Sequence, residues 1–339
     1  MNKYVIAKDI NSILKHTSRT FYFSFSILPS YIRYMLSSAY LIARAMDSVI
    51  DSKNIKLNVK NEFLDSFSDI YDKDFREKLL SIKKDIIIHL NGWEKELIDK
   101  FDYIFYKLLE NMDEEDRKNL KFLICGISKG MRMDISFFGD SADINSFKTY
   151  KDLMKYSNLI GGVPAIYWYR VYLKYNNNIF RNNVVKSAYR IGTALQLTNI
   201  LKDMSTDLKN GRCYIPQEFL LKARLKKEEL LDYHNIERVR EFINSVILTC
   251  VDYFDEAETF IDSIKSTEIS LKLALIWPVY WAMDSLYLVS IKNPLKNRIK
   301  ISRFNVYRTL AKSPLLISSL SFHNGYRFRR ETLILSINK

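Results

Sequence analysis

Two pairs of aspartates are set four residues apart, Asp47/Asp51 in ARAMDSVIDS and Asp203/Asp207 in QLTNILKDMSTDLKNGRCYIP. If both stretches are helical, each pair projects from a single helix face. Like charges at that spacing cost a helix roughly 0.2–0.5 kcal/mol unless a cation offsets them, so a cation beside each pair is expected. The second stretch lengthens the stripe, because Gln196, Asn199, Asp203 and Asp207 recur at intervals of three and four, and all four offer oxygen donors. Hard oxygen donors suit Mg²⁺, with Mn²⁺ as a substitute, and Mg²⁺ commonly completes its shell with water and substrate phosphates. The pattern therefore points to a diphosphate held through a divalent metal. A lone Asp-x-x-x-Asp fits a solvated helix face equally well. In this chain, however, Asp47 follows the apolar run YLIARAM and Asp203 follows ALQLTNIL, and a carboxylate on an apolar face is costly unless paired or metal-bound. Arg44, one turn before Asp47, is placed either to hold an anion or to pair with Asp47 or Asp51.

The elements that must position these residues read as helices throughout. Nine Gly and six Pro in 339 residues are few, and neither linker composition, nor internal repeat, nor recurrent hairpin signal is present. Periodicity predicts helices near 3–16, 20–28, 32–51, 57–70, 74–90, 93–111, 114–137, 147–174, 180–208, 216–222, 226–232, 236–264, 268–290 and 303–312. Asp113 reads as an N-cap before EEDRKNL, and Asn210-Gly211 as a helix C-terminus. Gly161-Gly162 reads as close helix packing or a kink before Pro164. The expected organisation is one all-α catalytic domain over residues 1–290, with 291–339 as a basic extension of the same domain.

Other chemistries lack their residues. The four His are scattered without a His-Glu-x-x-His pattern, and the three Cys form no Cys-x-x-Cys, which disfavours zinc sites and a disulfide framework. No glycine-rich phosphate loop or Gly-x-Gly-x-x-Gly turn is present. The 22 Tyr, 20 Phe and four Trp are mostly core residues. An aromatic cavity beneath a metal–diphosphate site would also suit ionisation of an allylic diphosphate, since ring faces tolerate a carbocation.

The net charge of +13 is concentrated at the C-terminal end, where residues 291–339 hold eleven Lys or Arg against the single Glu331. Such a segment fits an anionic membrane surface at least as well as nucleic acid, or else solvent alone; the preferred partner is peripheral membrane, with no nucleic acid. The longest uncharged apolar run, Leu273 to Met283, is too short for a bilayer span, and MNKYVIAKDINS has no signal-peptide apolar region. A cytoplasmic protein, peripheral on a membrane, is expected.

Four separated segments together resemble the squalene/phytoene synthases. SRTFYFSFSILP (Ser18–Pro29) is similar to the family's N-terminal segment, ARAMDSVID (Ala43–Asp51) to its first aspartate-rich motif, and GMRMDIS (Gly130–Ser136) to its Gly-Met-x-Met-Asp stretch. QLTNILKDMSTDLKNGRCYIP is similar to its second aspartate-rich motif with Gly-Arg-x-Tyr-x-Pro behind it. The resemblance implies the isoprenoid-synthase fold, with two aspartate-rich helices facing each other across a central cavity. It implies Mg²⁺ held by Asp47, Asp51, Asn199, Asp203 and Asp207, and Gln196 at the reaction centre. For the substrate diphosphates and chains it implies Ser18, Arg19, Thr20, Phe21, Tyr40, Arg44, Tyr156, Asn199, Lys202, Arg212 and Tyr214. The implied activity is head-to-head condensation of two prenyl diphosphates, with two farnesyl diphosphates giving squalene at the expense of NADPH as the preferred reading. Phytoene, dehydrosqualene and the released cyclopropylcarbinyl diphosphate are the alternatives, and an inactive membrane-associated protein of the same fold is a rival. The chain departs from the pattern at Lys202, where Arg is usual, at Thr206, which replaces an acid, and at Leu159, which stands at an apparent Tyr position.

Overall fold

The computed structural model describes residues 4–71, 74–139, 143–176, 181–317 and 319–338. Lys3 and Phe180, which open two of the expected helices, and the tail residue Lys339 lie outside them. Among the described residues the chain is helical almost throughout, as expected, with one short parallel pair, β1 (Asn145–Ser146) beside β2 (Arg212–Cys213). The chain divides into two compact units, one of residues 1–140 and 166–180, the other of 141–165 and 181–339.

The first unit contains α1 (Lys8–Ser18), α2 (Phe21–Ser26), α3 (Ser30–Asp51), α4 (Leu57–Ser66), α5 (Phe75–Ile87), α6 (Gly92–Asp99), α7 (Phe101–Glu110) and α8 (Glu114–Phe138). Helix α3 is its centre and packs against α1, α2, α4, α6, α7 and α8, which is why so much of it is apolar. Part of the aromatic load is core: Phe63, Phe67, Phe75 and Phe101 meet edge to face at ring distances of 5.1–5.9 Å, and Phe105 packs tilted against Phe75 at 5.0 Å. The single helix expected over 93–111 is two, broken at Lys100, and α7 enters this aromatic cluster through Phe101 and Phe105. Helix α8 starts at its expected cap, where the Asp113 carboxylate accepts the Asp116 N–H at 3.0 Å.

The second unit is built on α11 (Asn182–Lys209), which packs against α9 (Tyr150–Ser157), α13 (Ile236–Asp255), α14 (Ala257–Asp262) and α15 (Ile269–Ile291), with the short α12 (Gln217–Lys222) between α11 and α13 in the chain. It also packs against a π-helical turn, Asn158–Gly162, that leads into α10 (Val163–Tyr175). Of the two readings of Gly161-Gly162, close packing is the one that holds, since the backbones meet there within a π-helical turn. A Cβ added at Gly192 would lie 2.2 Å from the Gly161 carbonyl oxygen, and one added at Gly161 would lie 2.2 Å from that of Gly192. Since backbone cannot swing aside as a side chain can, Gly192→Ala is expected to cost about 1–3 kcal/mol. Calorimetry should show Tm falling by several degrees, and an unchanged Tm would show that the crossing can loosen at no cost.

Two further differences from the sequence reading concern tertiary contacts. The helix expected over 236–264 is interrupted at Glu256, whose carboxylate accepts from Ser187 at 2.7 Å and Arg190 at 2.8 Å on α11. No helix is expected beyond 312, yet after α16 (Arg303–Ala311) and a 3₁₀ turn (Ser313–Ile317) the chain forms α17 (Ser319–Ile337). Its SLSFHNGYRFRR sequence carries a weak helical signal, and its stability comes from packing on α15. Gly325 lets the Tyr280 hydroxyl approach, Tyr280 donates to the Phe322 carbonyl at 2.8 Å, and Arg329 pairs with Asp284 at 2.9 Å while covering the Tyr280 ring. Burial pushes the Asp284 carboxyl above its ordinary range, and Arg329 opposes the shift. The described residues beyond 291 are thus folded structure rather than a solvated tail. Helix α15, which carries the Leu273–Met283 run, is longer than that run and is apolar enough by length and composition to cross a membrane. Most of it is buried beneath α11, α13 and α17, which is what a core helix requires.

Candidate active site

From Tyr34 to Asp51 helix α3 is buried except at Tyr40, Ala43, Arg44, Asp47 and Asp51. Those positions recur at three and four, so the one stripe the fold leaves open is the stripe that bears both carboxylates. The expectation that both would be embedded is corrected: Asp51 is exposed and Asp47 half-buried, because they lie on the uncovered edge of an otherwise apolar helix. Arg44 pairs with Asp47 and reaches Glu94 at 3.1 Å. Burial disfavours the Arg44 charge, but Asp47, Tyr40, Glu94 and Asp51 outweigh it and hold the guanidinium above its usual pKa.

The N-terminal segment meets this stripe. The Tyr40 hydroxyl donates to the Thr17 carbonyl at 2.8 Å and so ties α3 to the end of α1. Burial raises Tyr40 to about 12, while the nearby Arg44 and Arg19 act to lower it. Arg19 caps α1 in the left-handed region at φ 51°, which turns the chain sharply enough to bring its side chain beside Tyr40. The buried Ser18 hydroxyl donates to the Leu14 carbonyl at 2.6 Å within the last turn of α1. Thr20 is half-buried and Phe21 exposed, and both open α2 beside that corner.

The second stripe obeys the same rule. Between Leu195 and Asp207, α11 is accessible only at Leu195, Gln196, Asn199, Lys202, Asp203, Thr206 and Asp207. Every other residue of that stretch is buried, so the face with the oxygen donors is again the face left uncovered. Gln196 lies against the Gly161–Gly192 crossing, 2.8 Å from where a Gly161 Cβ would sit. The Lys202 ammonium pairs with Asp203 at 2.7 Å.

Behind this stripe, β2 holds the Gly-Arg-Cys-Tyr segment. Gly211, at φ 85°, ends the turn after α11, and its carbonyl accepts the Asn145 N–H at 2.9 Å. Arg212 is then paired with Asn145 across the strands, and Tyr214 lies beside Tyr156 with hydroxyls 3.4 Å apart. Phe147 completes a three-ring cluster with them. The structure thus gathers Tyr156, Arg212 and Tyr214, which are distant in sequence, at one corner of the second unit. Leu159 sits in the π-helical turn.

One residue at the second stripe is not among those the sequence reading singles out. Arg298 grips Asp203 with two nitrogens, its Nε on Oδ1 and its Nη2 on Oδ2 at 2.9 Å. Its segment is tied down independently: the Ile299 N–H donates to the Lys202 carbonyl at 2.8 Å, and Asn293 donates to the Tyr233 carbonyl at 2.8 Å. The sequence shows Arg298 only as one of many basic residues beyond 291, and its 95-residue separation from Asp203 leaves no local signal. A bidentate guanidinium–carboxylate pair fixes orientation as well as charge. Arg298→Gln is therefore expected to lower kcat/KM about tenfold or more, in keeping with roughly 1.5–3 kcal/mol for a charged hydrogen bond. It should add little to Asp203→Asn, since both remove one interaction; full additivity in steady-state kinetics would separate their roles.

The squalene/phytoene synthase family model matches residues 14–304, a span that includes both stripes and Arg298. The chain belongs to the squalene/phytoene synthase family. Among the relatives of this family, phytoene synthase from Daucus carota is 29% identical over 206 residues, covering 58% of this chain and 47% of that protein. Squalene synthase from Schizosaccharomyces pombe is 23% identical over 273 residues, covering 76% and 54%. The chain spans about half the length of both relatives. Among solved structures, the complex of TcSQS with the ligand BPH1237 superposes with a TM-score of 0.77 at 18% identity, covering 98% of this chain and 97% of that one. A dehydrosqualene synthase in complex with ligand gives 0.60 at 18% identity, covering 91% and 96%. These likenesses show the isoprenoid-synthase fold of the squalene/phytoene synthases.

Proposed function

We propose that the protein joins two prenyl diphosphates head to head, with loss of both diphosphates, and that two farnesyl diphosphates giving squalene is its reaction. The observation that carries this reading is the pair of uncovered stripes, each bearing two carboxylates on a stretch of helix, 34–51 in α3 and 195–207 in α11, that is otherwise buried.

The donor set fits a divalent metal of the Mg²⁺ type. Each stripe offers hard oxygens and only two carboxylates, and no group of three His, Cys, Asp or Glu side chains is drawn together among the described residues. That is too few for a closed protein cage and suits an ion completed by water and phosphate oxygens. Asp47 and Asp51 would hold metal at one stripe, and Asn199, Asp203 and Asp207 at the other. Bound there, the metal would neutralise charge on a departing diphosphate.

The remaining roles follow from the residues. Arg44 supplies positive charge beside Asp47 and Arg19 beside Tyr40 of the same stripe, while Lys202 and Arg298 pair with Asp203 of the second; together with Arg212 they would orient phosphate oxygens. Tyr214, the accessible member of the Phe147–Tyr156–Tyr214 cluster, would offer its ring to an allylic cation. The chemistry is a first carbon–carbon bond closing a cyclopropylcarbinyl diphosphate with loss of one diphosphate and a proton. Loss of the second diphosphate and capture of a hydride from NADPH would then give squalene. We further propose that residues 1–290 and the 291–339 extension work as one catalytic domain, a reading supported by Arg298, and that the protein works in the cytoplasm against an anionic membrane rather than on nucleic acid.

The test is incubation with farnesyl or geranylgeranyl diphosphate and Mg²⁺, with and without NADPH, followed by mass spectrometry of the extracted hydrocarbon. Squalene formed only with farnesyl diphosphate and NADPH is expected. A C40 product from geranylgeranyl diphosphate would replace the chain-length assignment, and no hydrocarbon from either substrate would reject the activity.

A further inference from the structure

Residues 285–330 contain no Asp or Glu, yet their cations do not behave alike. Arg298, Arg327, Arg329 and Arg330 are drawn to Asp203, Glu258, Asp284 and Asp255. Arg303 and Lys312 are exposed and have no carboxylate within ion-pair distance among the described residues. They flank α16, whose inner face is buried through Val306 and Thr309. The outer face is also apolar: Phe304 is 71% exposed, Tyr307 58%, and Leu315, on the 3₁₀ turn that follows, 68%. At 100° per residue, Phe304, Tyr307 and Ala311 share one outward stripe, with Arg303 on one side of it and Lys312 on the other. An outward aromatic stripe between unpaired cations gains nothing from bulk water, whereas at a bilayer surface the rings enter the headgroup region and the cations meet anionic lipid.

We infer that α16 and the turn after it form the face by which the protein docks on an anionic bilayer. The inference rests on the membrane reading above and gives it a location. It moves the contact away from Arg327, Arg329 and Arg330, whose charges are already engaged within the fold.

Co-sedimentation with vesicles of phosphatidylcholine alone, and of phosphatidylcholine with one-third phosphatidylglycerol, tests it at low and high salt. The full-length protein is expected to sediment with the anionic vesicles at low salt and to be released as salt rises. Phe304→Ser/Leu315→Ser and Arg303→Gln/Lys312→Gln should each weaken binding at least several-fold with Tm retained. Ile88→Ser, which removes a 73% exposed apolar side chain from the other unit, should leave binding unchanged. Wild-type protein that stays in the supernatant, or that binds duplex DNA and not vesicles, overturns both the membrane reading and this face. Wild-type binding that survives both α16 double variants overturns the face alone.

Discussion

Asp203→Asn and Asp47→Asn should each leave a folded protein whose turnover is reduced about 10²- to 10⁴-fold. The amide keeps the shape of the carboxylate and removes the charge on which cation binding depends. Several kcal/mol of transition-state charge stabilisation is the usual contribution of a bound metal, at about 1.4 kcal/mol per factor of ten in rate. Stability should change far less. Asp47 and Asp203 are both partly solvent-accessible, and ion pairs in such positions typically contribute about 1 kcal/mol or less. Arg44 would retain Glu94 after the first substitution; Arg298 and Lys202 would lose their shared partner after the second but stay within reach of water. The measurement is hydrocarbon production alongside thermal melting. Activity within a few-fold of wild type in either well-folded variant would remove that stripe from the site.

Withdrawal of divalent metal should abolish the reaction outright. A diphosphate leaving an allylic carbon takes the bonding electron pair onto an already polyanionic group, and the basic side chains of each stripe are partly committed to its carboxylates. Arg44 is engaged with Asp47, and both Lys202 and Arg298 with Asp203. They cannot by themselves supply the neutralisation that ionisation needs. With excess chelator, neither diphosphate nor hydrocarbon should form, and Mg²⁺ or Mn²⁺ should restore both. A readout independent of turnover is the melting temperature: inorganic diphosphate should raise Tm when Mg²⁺ is present and have little effect without it, because a ligand that binds only the folded state stabilises it. Undiminished diphosphate release in chelator would contradict the proposed chemistry.

The two variants and the chelator probe the part of the protein that was legible in the sequence, and the reason is local. Residues three and four apart on a helix share a face whatever the rest of the chain does, so Tyr40, Arg44, Asp47 and Asp51 are one stripe as soon as α3 is a helix. The same holds for Gln196, Asn199, Asp203 and Asp207 on α11. Caps are equally local, and Asp113 and the Asn210-Gly211 turn are found where their side-chain chemistry and backbone freedom place them.

What the sequence by itself determined, then, was the helical class, the composition of both acidic stripes and the chemistry they suit. It did not determine what covers each helix. Only packing decided that residues 34–51 of α3 and 195–207 of α11 are buried except along the acidic stripe, which turns a pattern equally suited to a solvated surface into an open strip on a packed stretch of helix. Packing also decided that Tyr40 reaches back to Thr17 beside Arg19, and that Arg298 closes on Asp203 across 95 residues. In the same way α17, weak in propensity, became a helix because Gly325 admits Tyr280 and Arg329 finds Asp284. These contacts join residues with no periodic relation in sequence, and their free energy exists only once the helices are assembled.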